Sequence, residues 1–591
     1  MSIEKTYDEK DVVDTTVSPV HEEILKADEY VYVDPYANIN KERENNGMWR
    51  NFIDGFKQID IGEIDPNLTD VERANLVASK APLKRSLKNR HLQMIAIGGS
   101  IGTGLFVGAG SALATGGPAA LVIAWILTGI MMYCTVQALG ELAVAFPVSG
   151  SFVQYNTRFI SASWGFCMAW NYALQWLVVL PLELVAAAIT IDYWNSEINS
   201  AAWVVLFYVL VLFINVFGVK GYGEAEFIFS FLKVLAICGY IILGIVINCG
   251  GGPQGGYIGG HYWKDPGAFA AGFKGVCAVF VTSAFSFAGT ELCGLAAAET
   301  ENPRKTLPSA TKQVFWRIAL FYIISLTLVG LNVPYTDDRL LGNSGAAASP
   351  FVISIRNAGI KGLPSVMNAV IMIAVCSVAN SSVYGASRTI SSLADQGFAP
   401  RIFGYIDREG RPLVGVGISL LIGLLCFLAA SSHHDDVFTW MLALSGLSSI
   451  FTWGSICACH LRFRRALKVQ GRNTDELSFT SQCGIIGSMF GVLLNCLILM
   501  AQFWVALFPI GEAANPTSFF EVFLCVPILL VFYFFWVFYK KDYNFFMRSA
   551  DIDIDTGRRE VDLELLKQEI AEEKAFIKSK PFYYRAYKFW C

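Results

Sequence analysis

The segment Gly98-Gly99-Ser100-Ile101-Gly102-Thr103-Gly104 interrupts an apolar block of bilayer length. A second interrupted block contains Phe285-Ser286-Phe287-Ala288-Gly289-Thr290-Glu291, which places a carboxylate inside an apolar segment. Glycine destabilises a helix interior by about 1 kcal/mol relative to alanine. Glycine clusters inside two membrane-length blocks therefore predict helices that are locally unwound, and they occupy corresponding places in two successive groups of five blocks.

Apolar blocks of similar length recur throughout the chain. The 591 residues are 54% hydrophobic and only 16% charged, whereas an average soluble domain is about 25% charged. About 20 apolar residues span a bilayer as a helix. We therefore predict an all-α membrane protein with twelve transmembrane helices. The predicted blocks are 92–114, 118–145, 165–191, 201–218, 226–248, 272–297, 315–334, 365–394, 413–430, 437–459, 486–509 and 517–539.

Composition divides the chain into four parts. The N-terminal part, residues 1–90, is expected to be mostly disordered, apart from one short helix around Trp49 to Phe56. Lys and Arg concentrate before the first helix and in alternate connections, which predicts that both tails lie in the cytosol. The parts are an acidic N-terminal tail at 1–90, a ten-helix core at 91–460, two further helices at 461–540 and a polar C-terminal tail at 541–591.

Several classes of function are disfavoured by composition. The net charge of −4, without a basic stripe, argues against a nucleic-acid partner. Most of the 14 cysteines lie inside apolar blocks, and Cys457 and Cys459 fall on different helix faces, so neither a metal centre nor a disulfide framework is expected. With six histidines and no paired catalytic groups at aqueous depth, we expect no enzyme activity and no bound cofactor.

Unwound segments offer a specific ligand chemistry. Backbone N–H groups freed within a membrane suit a carboxylate, and freed carbonyls suit an ammonium. A zwitterionic amino acid presents both groups, and matched breaks in two helices are typical of transporter sites. One alternative is that the glycines only permit close helix packing. Another, a dinucleotide-binding turn, is weak because no strand precedes the first cluster.

Ionisable residues inside the predicted spans are the next candidates, since each is costly in a bilayer. A protonated carboxylic acid is cheaper to bury than a carboxylate, which makes Glu183 and Glu291 candidate proton carriers. Lys233 is either part of the proton path or a fixed charge where a sodium ion would sit in ion-coupled transporters. Glu141, near the end of the second block, is interpreted as a structural partner.

Long strings of sequence resemble the fungal general amino acid permeases, a branch of the amino acid–polyamine–organocation superfamily. The similarity extends from about Pro66 to Cys591 and implies a five-plus-five inverted repeat with discontinuous helices 1 and 6 plus two peripheral helices. It also implies proton-coupled uptake of L-amino acids at the plasma membrane, or else an amino-acid sensor of the same fold with little net transport. The strings include LKNRHLQMIAIGG at 87–99, LGELAVAFPVSGSF at 139–152, FGVKGYGEAEF at 217–227, AFSFAGTEL at 284–292 and AAAETENPRK at 296–305.

The resemblance also implies a substrate site. Thr103 and Gly104 would bind the substrate carboxylate, and Phe285 would cover the bound molecule. Gln175 and Val179 replace the small hydroxyl residues that are typical of permeases for basic amino acids, which favours broad specificity. The implied α-amine carbonyls belong to Ser100, Ile101, Phe285, Ser286 and Ala288, and the implied side-chain pocket comprises Gln175, Val179 and Ser445.

The tails are interpreted as regulatory. In the family, N-terminal lysines receive ubiquitin, so Lys5 and Lys10 are candidate acceptors for ubiquitin ligase machinery. Cys591 follows two aromatic residues and is a candidate palmitoylation site. Residues 561–576 show apolar positions at helical spacing and are expected to lie on the membrane or on the cytosolic face.

Overall fold

The computed structural model describes residues 48–59, 83–84, 86–194, 197–300, 303–341, 349–430, 434–511, 513–558, 568, 572, 575–582 and 584–585. Lys5, Lys10, Cys591 and most of the predicted helix at 561–576 lie outside the described residues, so the proposals made for them stay predictions.

Twelve apolar helices occur in the described part of the chain, one for each predicted block. Eight of them are long and apolar enough to cross a bilayer, and four are shorter. The predicted all-α membrane architecture is confirmed. Numbered in chain order, the helices are α1a Asn89–Gly98 with α1b Gly104–Gly116, α2 Pro118–Ala145, α3 Ala162–Ile191, α4 Ser200–Val216, α5 Gly218–Asn248, α6 Gly272–Glu299, α7 Thr306–Asn332, α8 Leu363–Asp395, α9 Leu413–Phe427, α10 His434–Val469, α11 Gly484–Leu507 and α12 Cys525–Lys540.

The first and sixth helices are interrupted where the glycine clusters predicted. α1 leaves helical geometry between Gly98 and Gly104, and α6 does so between Phe287 and Leu292. Gly289 in the second break has φ +94°, a backbone conformation that side chains with a Cβ rarely adopt. The break in α6 therefore requires glycine at this position for a conformational reason.

Burial separates central helices from peripheral ones. Most residues of α6 are buried, whereas α5 and α11 turn most of their residues outward. Large apolar side chains on α12, such as Phe534 and Phe535, are exposed, as expected for a lipid-facing helix. The two interrupted helices thus lie in the protein interior, where irregular backbone can be satisfied by neighbouring helices.

The predicted boundary between the ten-helix core and the last two helices lies at residue 460. It falls inside α10, which continues to Val469. Hydropathy drops there because charged residues enter the helix, but these charges have a buried partner on α2. Glu141 lies 3.1 Å from His460 Nε2 and 2.6 Å from Arg464 Nε, and it accepts the backbone N–H of Ser481 at 2.7 Å. The structural interpretation of Glu141 agrees with this arrangement.

Parts of both predicted tails pack on the helix core. A short helix, Met48–Asp54, lies in the N-terminal tail, and Asp54 pairs with Arg408 at 2.7 Å in the connection after α8. Hydrogen bonding from Lys57, followed by the Arg408 contact, holds the pKa of Asp54 below its usual range. On the C-terminal side, Thr556 O accepts a hydrogen bond from Arg158 at 2.8 Å.

Candidate functional site

The two breaks meet at a small buried cavity bounded by α1, α3, α6 and α8. Its volume is about 10 Å³, which is room for roughly one water molecule. An amino acid needs far more space, so a bound substrate requires the wall to move. The lining residues are Ser100, Gly102, Thr103, Gly104, Trp176, Val179, Glu183, Phe285, Ala288 and Val378.

Most of the residues predicted to bind the substrate line this cavity, but four of them do not. Gln175 instead braces α3 against α10: its amide donates to Ser449 Oγ at 2.9 Å, and its carbonyl oxygen accepts from Ser448 Oγ at 3.2 Å. Ser445 Oγ is buried and has no hydrogen-bond partner among the described residues. The residues outside the cavity wall are Ile101, Ser286, Gln175 and Ser445, and Trp176 is a wall residue that the sequence did not single out.

Glu183 is joined directly to the break in α1. Thr103 Oγ1 donates a 2.5 Å hydrogen bond to Glu183 Oε2, and both side chains are fully buried. The second oxygen, Oε1, has no hydrogen-bond partner within the described part of the chain. A carboxyl group that lines the cavity with one oxygen unpaired is suited to exchange a proton with a molecule in that cavity.

Glu291 has a different environment. Its Oε1 accepts from Tyr172 at 3.3 Å and from the backbone N–H of Gly289 at 3.2 Å, while Oε2 accepts from Trp453 Nε1 at 3.2 Å. A carboxylate acts only as an acceptor, so three donors match its ionised form. Glu291 lies outside the cavity wall, and its hydrogen bonds join the break in α6 to α3 and α10; its role as a proton carrier stays a prediction.

Lys233 occupies a buried polar cluster between α1, α5 and α8. Its ammonium donates to Gly98 O at 2.7 Å and to Ser377 Oγ at 2.8 Å, and it lies 3.5 Å from Glu226 Oε1. Glu226 is fully buried and also accepts from Ser230 and Ser377. Glu226 was not among the residues predicted from the sequence, although a carboxylate seven residues before a lysine falls on the same helix face.

Two side chains of α7 reach both breaks, and neither was predicted. Arg317 is buried and donates to Ala96 O at 2.5 Å near the end of α1a, and also to Thr290 Oγ1 in the break of α6. Tyr322 OH lies 2.8 Å from Ser286 O and 3.3 Å from Ser100 O. Both belong to a stretch with π-helical hydrogen bonding, Arg317–Ile324, a distortion frequent at functional sites.

The glycines of the first cluster also allow close packing. A Cβ built on Gly104 would lie 2.6 Å from the Cα of Ser286, and one on Gly98 would lie 2.2 Å from Ser230 Oγ. The packing interpretation therefore applies to Gly98 and Gly104, and the ligand-site interpretation of the cluster stays a prediction. Any side chain at Gly104 would push α1 away from α6. Loss of uptake in a Gly104 variant would therefore not by itself show that this residue contacts the substrate.

Twelve apolar helices, two of them interrupted around one buried cavity, define a membrane transport protein. The family model for amino acid permeases matches residues 91–546. The chain is 64% identical to a general amino-acid permease of Candida albicans over 566 residues, which cover 95% of this chain and 96% of the relative. It is 58% identical to a general amino-acid permease of Saccharomyces cerevisiae over 558 residues, 93% of each protein. A histidine permease of the same yeast is 50% identical over 518 residues, 86% of each protein.

The chain therefore belongs to the amino acid permease family, and the resemblance inferred from its sequence is confirmed. It is a multi-pass membrane protein.

Proposed function

We propose that this protein imports a broad range of L-amino acids across the plasma membrane in symport with protons, with both tails in the cytosol. The two general amino-acid permeases among its relatives cover almost the whole chain, which supports broad uptake. The Lys and Arg bias of alternate connections supports the orientation. The activity involves no covalent chemistry and no cofactor.

The proposed substrate complex uses the breaks in α1 and α6. Backbone N–H groups around Thr103 and Gly104 bind the substrate carboxylate, and carbonyls near Ser100 and Phe285 bind its ammonium. Val179 and Trp176 then face the substrate side chain, and the Phe285 ring covers it. Val179, Trp176 and Phe285 offer no charged partner to the substrate side chain, which favours acceptance of substrates that differ in their side chains.

One observation carries the proton-coupling proposal: the 2.5 Å hydrogen bond between Thr103 and Glu183. The proposed carboxylate site and the Glu183 carboxyl group therefore share one residue. Two carboxylates this close at a buried site of low dielectric constant repel strongly if both are charged. Substrate binding and proton binding at Glu183 are consequently favourable together and unfavourable separately, which is the requirement for symport.

The position of the Lys233 ammonium supports the proposal that protons, rather than sodium ions, are the coupling ions. Its ammonium already neutralises this polar cluster and satisfies Gly98 O at 2.7 Å. A second cation in the same place would meet a fixed positive charge. Lys233 thus provides permanently the positive charge that a bound sodium ion would supply.

The decisive experiment measures uptake of all twenty amino acids in a permease-null yeast cell, with and without a protonophore. Broad uptake that collapses with the proton gradient and is independent of sodium is the expected result. Uptake that survives the protonophore would exclude proton coupling. Substrate binding without net uptake would instead indicate a sensor.

A further inference from the structure

The hydroxyl of Tyr322 on α7 lies where three oxygen atoms converge, two from Ser100 in the α1 break and one from Ser286 just before the α6 break. It is 2.8 Å from Ser286 O, 3.3 Å from Ser100 O and 3.2 Å from Ser100 Oγ. The side chain is fully buried, and its ring packs against Phe287 with centroids 4.4 Å apart. One phenol group, which does not line the cavity, thus bridges α1 and α6.

The two carbonyls lack regular helical partners for a local reason. Ser286 lies in the last turn of the helix Phe280–Phe287, and the carbonyls of a last turn have no intrahelical donor. Ser100 lies between Gly98 and Gly104, where α1 is not helical. Buried carbonyls need a donor, and two of them in parallel repel each other unless a donor lies between them.

We propose that Tyr322 is a positioning residue for the substrate α-ammonium: its hydroxyl holds the Ser100 and Ser286 carbonyl segments together so that the breaks present their free backbone acceptors at a fixed spacing. This inference rests on the proposed function, because it assumes that these segments bind the ammonium of an amino acid. Tyr322 does not line the cavity, so its effect on the substrate is transmitted through the backbone.

This role has a specific signature. Every amino acid carries the same α-ammonium, so misplacing its acceptors raises KM by a similar factor for all substrates. A residue of the side-chain pocket would change the ranking of substrates instead. A residue needed only for folding would lower the amount of transporter at the surface, and hence Vmax, without changing KM.

The experiment compares Tyr322→Phe with Tyr240→Phe, each normalised to surface protein. Tyr240 is a matched control, because it is also buried and its hydroxyl lies 3.0 Å from Ser354 Oγ, away from the cavity. We expect Tyr322→Phe to raise KM by up to about tenfold for acidic, neutral and basic amino acids alike, the ratio that corresponds to ~1.4 kcal/mol. The control variant keeps the parental KM.

A second variant, Ser100→Ala, removes one oxygen around the phenol and leaves the Ser100 carbonyl in place. We expect a smaller rise in KM, and the double variant should be less than additive because both changes act on one contact. An unchanged KM in Tyr322→Phe, a substrate-dependent change, or full additivity in the double variant overturns the positioning role. Failure of the parent protein to take up amino acids overturns the proposed function itself, so the two outcomes are distinguishable.

Discussion

Lys233 donates a 2.7 Å hydrogen bond from its ammonium to the carbonyl of Gly98, the residue at which α1a ends. A lysine of α5 thus occupies the C-terminal end of the first half-helix, where the helix dipole favours positive charge. Hydrogen bonds from this lysine to Gly98 O and Ser377 Oγ tie α1a and α8 to α5, and its ion pair with Glu226 is buried within α5. This link connects the state of the α1 break to the helices around it.

Replacing only Lys233 of the Lys233–Glu226 ion pair should destabilise the protein more than replacing both residues. Lys233→Met leaves Glu226 as an uncompensated buried charge, a change that typically destabilises a protein by about 3–5 kcal/mol. The double variant Lys233→Met with Glu226→Gln should recover much of the thermal stability. Melting of the detergent-solubilised variants tests this, and a single variant as stable as the parent would contradict the ion pair.

Neutralising Glu183 should separate exchange from accumulation. Glu183→Gln keeps a hydrogen-bonding group beside Thr103 but cannot release a proton. We expect exchange of internal for external amino acid to continue, while uphill accumulation at acidic external pH is lost.

Glu291→Gln is the comparison variant for this prediction. Its amide must place an NH₂ group either against Trp453 or against Tyr172 and Gly289, so at least one buried donor loses its acceptor and we expect a loss of stability that lowers both transport modes together. If Glu183→Gln still concentrates substrate against its gradient, the proposed proton path is wrong.

Selectivity should respond to Val179 more directly than to Gln175. Val179 lines the cavity, whereas Gln175 is bonded to α10. Val179→Thr with Gln175→Ser is predicted to shift preference toward cationic substrates, and Val179→Thr alone should produce most of that shift. The shift in preference is measured by how strongly acidic, neutral and basic amino acids each compete with uptake of a labelled substrate. An unchanged profile would place both residues away from the substrate.

Gly289→Ala tests the backbone of the α6 break without crowding it. A Cβ there would lie 3.4 Å from its nearest neighbour, Trp176, so the strain comes from φ +94°. Such strain is of order 1–3 kcal/mol, and we expect reduced uptake and reduced thermal stability. Gly239→Ala on α5 is the control, because a Cβ at Gly239 has no atom within 4 Å. Equal uptake and equal thermal stability of the two variants would contradict the requirement for a positive φ at Gly289.

Much of the fold followed from local features of the chain. Apolar blocks of bilayer length predicted twelve helices, and glycine clusters predicted the breaks in α1 and α6. Helix ends were less predictable. α5 begins at Gly218 rather than near residue 226, and its first two turns include polar residues such as Tyr222, whose hydroxyl lies 3.2 Å from Ser381 Oγ on α8. Glu226 therefore lies within the helix and not at its end.

The sequence alone determined that the chain is a membrane protein with two unwound helices, and that acidic groups lie at membrane depth. These properties depend on hydropathy and backbone propensity, which act over one or two helical turns. Only the tertiary structure decided that Glu183, rather than Glu291, lines the cavity, that Gln175 faces α10, and that Tyr322 reaches both breaks. These outcomes depend on the rotation and spacing of helices packed against partners distant in sequence, and that packing leaves no local pattern in the chain.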